Sequence, residues 1–151
     1  MRMKSNFKLA ASEMQKLTDR IDNNLKLIVR DVSAEVYGEL TQDPRSLGAG
    51  TGTPRDTRRA TNGWNISQNG PNYDDPGEGQ YGEPPGAREE ARTQIRRGAT
   101  NASIANGVPY IATLDNGTST QAPAGFVQRA VNRAVNWLIG FDVLNKNYEK
   151  R

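Results

Sequence analysis

The chain has 151 residues, 20 basic and 17 acidic side chains, a net charge of +3 and a hydrophobic fraction of 34%, which suits one modest core with long polar segments rather than two independent domains. Cysteine and histidine are both absent, which excludes disulfides, thiolate metal sites, Cys nucleophiles and, within this chain alone, Ser-His-Asp catalysis and histidine-ligated zinc. So small a net charge is no argument for nucleic-acid binding, although it is unevenly spread: +1 over residues 1–45, −3 over 46–90 and +5 over 91–151.

In chain order, the first element is a long helix. Met14, Leu17, Ile21, Leu25, Ile28, Val32, Val36 and Leu40 recur at intervals of three or four residues, close to the helical period. Ser12 with Gln15 fits a capping box, Phe7 and Leu9 offer an extension upstream, and Pro44 marks the end. From Ser12 to Gln42 such a helix is roughly 45 Å long at 1.5 Å per residue, more than a globule of this size spans. Part of it is therefore expected to meet something outside its own domain, and Ile21 and Leu25 are candidate interface residues. The N-terminal sequence MRMKSNFKLAASEMQKL reaches Glu13 and Lys16 before any apolar run forms, so neither a signal peptide nor a transmembrane segment of about 18 apolar residues is expected. The expected compartment is a cytosol, with no membrane partner.

Residues 43–87 hold 9 of the 15 glycines and 6 of the 8 prolines. GAGTGTP (48–54) and PNYDDPGEGQYGEPPG (71–86) read as loops. Between them, Arg59–Gln68 places Trp64 and Ile66 on one alternating face and reads as a strand. Two long loops in so small a domain are expected to be mobile in the isolated chain and to order against a neighbour. Ala87–Arg97 reads as a short helix with acids in its first turn and arginines in its last, and Asn101–Asn106 as a second strand. Val108–Leu114 reads as a helical turn entered at Pro109 and closed by Asn116-Gly117. Pro123 opens a final helix on which Phe126, Val127, Ala130, Val131, Ala134, Val135 and Leu138 form a broad apolar face, with Gly140 at its end. The fold class is α+β: a long N-terminal helix, a small antiparallel sheet with long loops, and a short helix and C-terminal helix packed on it, all in a single domain over 1–151.

Chemistry-bearing patterns are few. GAGTG at 48–52 lacks the Lys-Ser/Thr and the preceding strand of a phosphate loop. Asp74, Asp75, Glu78 and Glu83 do not have the spacing of a calcium loop, and Pro76 interrupts them. The acids provide no pair held across a cleft as glycoside hydrolysis requires. Arg55, Arg58 and Arg59 followed by Trp64 form a basic and aromatic cluster able to touch a nucleic-acid backbone, but no base-reading module surrounds it. No catalytic residue, cofactor or metal is expected.

Two stretches resemble a known family. Thr53-Pro54-Arg55-Asp56-Thr57-Arg58-Arg59-Ala60, followed by Trp64, resembles the opening motif of the minor tail component, or tail-completion (neck) protein, of long-tailed bacteriophages. The stretch Pro109-Tyr110-Ile111-Ala112-Thr113-Leu114-Asp115-Asn116-Gly117-Thr118-Ser119, continued by Gln121-Ala122-Pro123-Ala124-Gly125-Phe126-Val127, resembles the second signature of the same family. The likeness spans roughly residues 50–138 and is more specific in the second stretch. Arg58 stands where that family has Gly, which argues against a tight turn there. The resemblance implies a virion structural protein of the head–tail joint, assembled in the host cytoplasm as a ring around the DNA channel. The implied partners are copies of itself, sixfold by analogy with tail tubes, and adjacent neck, portal-side or tail-tube proteins. A tail terminator, a head-closure protein and a small basic DNA-binding protein remain alternatives. The residues of the two signatures have folding roles on this reading. Tyr110 and Leu114 pack four apart, Gly117 ends the turn, Thr118, Ser119 and Thr120 cap the final helix, and Gly125 lets that helix approach a neighbour. Tyr110, Leu114 and Phe126 are the large apolar residues whose loss is expected to be most damaging.

Overall fold

The computed structural model describes residues 2–41, 52–54, 58–82, 87–118, 120 and 124–140. The helical spacing of the first segment produces α1 (Arg2–Thr41), 40 residues long and about 60 Å from end to end. It begins ten residues before Ser12, so the expected capping box is not formed. Lys4, Lys8, Leu9, Ala10 and Ala11 are strong helix formers that carry the helix upstream, and Gln15 turns its amide to Asp19 Oδ1 (2.8 Å) instead.

The two halves of α1 differ in kind. From Asn24 onward one face is buried, with Asn24, Leu27, Ala34, Tyr37, Leu40 and Thr41 all at 9% exposure or less. Residues 10–19 are exposed all round, including Met14 at 70% and Leu17 at 42%. The helix is thus a packed rod at its C-terminal end and bare over residues 10–19.

The remaining elements gather around the packed half. After α2 (Arg59–Asn62) comes β1 (Trp64–Ser67), then α3 (Ala87–Gln94), β2 (Ser103–Asn106), α4 (Ile111–Thr113) running into a π-helical turn at Leu114–Thr118, and α5 (Phe126–Ile139). The strands pair antiparallel in the register Trp64↔Asn106, Ile66↔Ile104, and Trp64 and Ile66 face the core as their alternation requires. Ala34, Tyr37 and Leu40 of α1, Trp64 and Ile66 of β1, Ala91 and Ile95, Ala99, and Phe126 and Ala130 of α5 make one continuous apolar cluster. The fold is the expected α+β arrangement.

Two details differ from expectation. Residues 59–62 are a helical turn rather than the start of the strand: the backbone N–H of Asn62 bonds to Arg58 O (2.9 Å), that of Gly63 to Arg59 O (2.8 Å), and the Asn62 side chain also reaches Arg58 O. On α5 the buried face is narrow, limited to Phe126, Ala130 and Ala134, and Val131 (37%), Val135 (41%) and Ile139 (74%) face outward. The small alanines let α5 lie close to its neighbours, which leaves the flanking valines at the rim.

Charge fixes α3 against α1. Arg88 binds Glu35 Oε2 (2.7 Å) and Glu39 Oε1 (3.0 Å), and Arg92 reaches Asp31 Oδ1 (3.4 Å) and Glu35 Oε1 (3.5 Å). Rising numbers on α3 meet falling numbers on α1, so the two helices run antiparallel. Arg133 of α5 approaches Glu39 Oε2 at 3.5 Å. The α1 carboxylates are only 11–14% exposed, so these pairs are less screened than surface ion pairs.

Arg58 precedes α2 with φ 61 and ψ 6. The tight turn is therefore present, with a non-glycine residue in the left-handed region at a cost of about 1–2 kcal/mol. We expect Arg58→Gly to be more stable than Arg58→Ala by about 1 kcal/mol in urea unfolding. Both variants lose the Arg58 Nη1 bond to Tyr81 O, so the difference isolates the backbone; equal stabilities would show that no strain is held there.

Candidate functional site

The two signature stretches meet in space. In the first, Thr53 is fully buried and closes the end of α1: its N–H (3.2 Å) and Oγ1 (2.8 Å) both donate to Leu40 O. The same hydroxyl accepts the indole N–H of Trp64 at 2.7 Å, and Tyr37 donates to Trp64 O at 3.4 Å. Helix end, linker and strand thus share one buried hydrogen-bonded junction, beside which Pro54 is also buried. Burial raises the Tyr37 hydroxyl above its ordinary value, and the charge of Glu90 pushes the same way.

Arg59 is the link to the second stretch. Its guanidinium lies over the Tyr110 ring, 5.8 Å from the centroid, a distance at which the ring quadrupole attracts a cation. Its Nε donates to Asp75 Oδ1 (3.0 Å), its Nη2 bonds Asp75 Oδ2, and Glu78 stands at 3.9 Å. This fork ties the loop 69–82 down. Asn65 Nδ2 to Asp74 O (2.9 Å), Asn62 Nδ2 to Gly82 O (3.3 Å) and Tyr81 Oη to Pro76 O (2.6 Å) add to it. Gly107 lets the loop in, because a Cβ there would sit 2.1 Å from Tyr73 O. The lack of apolar anchors was the basis for expecting mobility in this loop, and polar side chains take that role in residues 69–82. Loop residues 42–51, 55–57 and 83–86 lie outside the described residues.

The basic and aromatic cluster is therefore not a free surface. Trp64 is 7% exposed, Arg59 is neutralised by Asp75, and Arg55 lies outside the described residues. The acidic run is likewise divided: Asp75 serves Arg59, Glu78 is solvated, and Glu83 lies outside the described residues.

In the second stretch Phe126 is fully buried and Leu114 packs partly buried against the core, whereas Tyr110 is 37% exposed. Tyr110 is held to Leu114 through the backbone (Leu114 N to Tyr110 O, 3.1 Å), and its ring faces Arg59 instead of the interior. Gly117 has φ 96, as the turn required. The cap of α5 is not Thr118, whose Oγ1 donates to Thr113 O (3.0 Å). Asp115 caps it: Oδ1 accepts from Val127 N (3.0 Å) and its carbonyl from Gly125 N (2.6 Å). Asp115 is the better choice on charge, because a carboxylate at a helix N-terminus meets the positive end of the dipole. Gly125 is needed for its φ of 79 rather than for close packing, since a Cβ would meet only the Arg129 guanidinium at 3.6 Å. Thr57, Pro123 and Ser119 lie outside the described residues. Of the expected interface pair on α1, Ile21 is half-buried and Leu25 is 51% exposed.

The sequence names Arg59, Asp75 and Asp115 within separate motifs but does not show the Arg59–Asp75 pairing or the capping role of Asp115. The first two join across 16 positions with no local pattern, but Asp115, ten residues before Gly125 and just ahead of a Gly-containing turn, carried a readable capping signal.

The Arg59–Asp75 fork sets an acid limit on the loop. Hydrogen bonds from Arg59, and after them from the Gly77 N–H, hold the Asp75 carboxyl below its ordinary value. A carboxyl lowered in the folded state gives a contribution that is complete above the ordinary value of about 3.9 and vanishes as pH falls through the lowered one. The Gly77 amide resonance should therefore titrate with a midpoint below that of the unfolded chain and lose this response in Asp75→Asn. A midpoint at the ordinary value would show that the fork is not formed in solution.

Among the described residues no group of three or more acids is placed to hold a metal ion, and no helix is long and apolar enough to cross a membrane. Comparison with protein-family models, curated proteins and solved structures gives no match to this chain.

Proposed function

We propose that the chain is a virion structural protein of the head–tail joint of a long-tailed bacteriophage. It is a neck or tail-completion subunit that closes into a ring, sixfold to match a tail tube, around the DNA channel. It acts by shape and contact, without catalysis or cofactor, and its partners are its own copies and the adjacent neck or tail-tube proteins.

The observation that carries this reading is the bare stretch of α1 over residues 10–19. Residues 10–19 have no covered face, yet Met14 and Leu17 continue the apolar spacing there. A helical stretch without packing is marginal in water, and an apolar stripe left exposed on a monomer marks an interaction surface. Head-to-tail contacts between identical subunits generate a ring when the rotation closes. In support, the signature residues Thr53, Trp64 and Phe126 are structural members of one junction and core, as a scaffold protein requires.

Met14→Asp with Leu17→Asp changes only exposed side chains. The double variant should keep its circular dichroism and melting profile but lose self-association, or incorporation alongside neck partners, by mass measurement. Virions from a strain lacking the gene should have unjoined heads and tails. Normally joined, infectious particles from that strain would overturn the reading.

A further inference from the structure

From residue 10 onward, eight of the described arginines and lysines have an ion pair or bond a backbone carbonyl. Four have no such side-chain partner: Arg20, Lys26, Arg96 and Arg97. They are not scattered. A cleft of about 370 Å³ is lined by Asn23, Lys26 and Leu27 of α1 and by Arg97 and Gly98 after α3. Its walls are joined by the Gly98 N–H, which donates to Lys26 O at 2.9 Å. Arg96 stands beside Arg97 with its N–H on Gln68 Oε1 (3.3 Å). Arg20 precedes Leu27 by seven residues, two helical turns along the same face and about 10 Å away.

The acids nearby do not cancel this charge. Residues 19–27 and 94–98 contain Asp19 and Asp22 against the four cations, a local excess of +2, and Asp19 is occupied by Gln15. The other described cations from residue 10 onward have carboxylate or carbonyl partners, so this uncompensated positive patch around a cleft is the site at which an anion gains most. The array is longer than a single phosphate ion. At about 3.4 Å of axis per phosphate on one strand, 10 Å spans about three successive phosphates. Among the described residues no aromatic side chain lines the cleft, so none of them stacks on a base there.

We propose that this cleft and its flanking cations bind the phosphate backbone of a nucleic acid without reading its bases. The assignment does not depend on the head–tail reading, and it places the basic contact away from the Arg55–Arg59 cluster that the sequence singled out.

The test is fluorescence polarisation with a labelled 20-base-pair duplex over a salt series. Wild type should bind with strongly salt-dependent affinity. Lys26→Ala with Arg97→Ala should weaken binding about tenfold at low salt and reduce the slope of log affinity against log salt by about two, near 0.9 per phosphate contact. Asn132→Glu with Asn136→Glu, on the outer face of α5, changes net charge by the same amount and should leave binding within about twofold. The melting curve of the Lys26/Arg97 variant should coincide with that of wild type, since among the described residues neither side chain has an ion pair or hydrogen bond; in the control, the exposed bond that Asn132 accepts from Gln128 Nε2 (2.9 Å) can also be accepted by glutamate. Inorganic phosphate should compete no better than sulfate at equal ionic strength. Absence of duplex binding, equal losses in both double variants, or saturable binding of inorganic phosphate without duplex binding would each overturn the proposal.

Discussion

Phe126→Ala is expected to lower stability by about 3–5 kcal/mol, a large share of the roughly 5–15 kcal/mol of a domain this size. Tyr110→Ala should lower it by no more than about 1 kcal/mol. The sequence gives the two aromatics equal standing, because both sit in the second signature beside helical turns. Their surroundings differ. Phe126 has no exposed surface and packs in the cluster with Tyr37, Trp64 and Ile95, so truncation leaves a cavity. Tyr110 is 37% exposed and its ring contact is with the Arg59 guanidinium, an interaction of about 0.5–1 kcal/mol at an exposed site. Urea unfolding of both variants measures the contrast. Equal losses would mean that Tyr110 is covered in solution.

Thr53→Val should cost about 2–3 kcal/mol although it preserves shape. The hydroxyl both donates to Leu40 O and accepts from Trp64 Nε1, and valine leaves the indole N–H buried without its acceptor, a penalty of about 1–3 kcal/mol by itself. Leu40 O keeps the Thr53 N–H, so the helix end is weakened rather than opened. Adding Trp64→Phe removes the stranded donor. The double variant should therefore be less destabilised than the sum of the singles, a coupling of the size seen within one hydrogen-bonded network. Strict additivity in denaturant unfolding would show that the two side chains do not share a bond.

What could be read from the residues follows from how local the cause was. The 3.7-residue spacing from Met14 to Leu40 is local and gave the first helix, and the alternation of Trp64 and Ile66 gave the inward face of β1. Ser12 misled because a capping pattern says nothing when strong helix formers continue upstream of it. Arg58 misled because the left-handed turn is imposed by the helical turn of 59–62 and the loop behind it, against the preference of the residue itself. The Arg59–Asp75 fork and the cleft between Lys26 and Arg97 join distant segments, and no local pattern pairs one residue with the other. The α1–α3 charge ladder was legible in principle: Asp31, Glu35 and Glu39 recur every four residues, as do Arg88 and Arg92, a matched pair of stripes on two helices.

That ladder works as a vernier. Sliding α3 by one helical turn along α1, about 5.4 Å, would put Arg92 between Leu27 and Asp31 and take Arg88 off Glu39, or, in the other direction, take Arg92 off Asp31 and Arg88 off Glu35. Either displacement costs one arginine an α1 partner and leaves a mostly buried carboxylate with only its remaining contact, Arg133 for Glu39 or Arg30 for Asp31. Among the described residues, only the observed setting gives each arginine two α1 carboxylates at once. Apolar packing between Ala34 and Ala91 would tolerate small slips, because alanine surfaces are nearly featureless. The carboxylates reject them, and so set where the turn bearing Arg97 and Gly98 stands against Lys26.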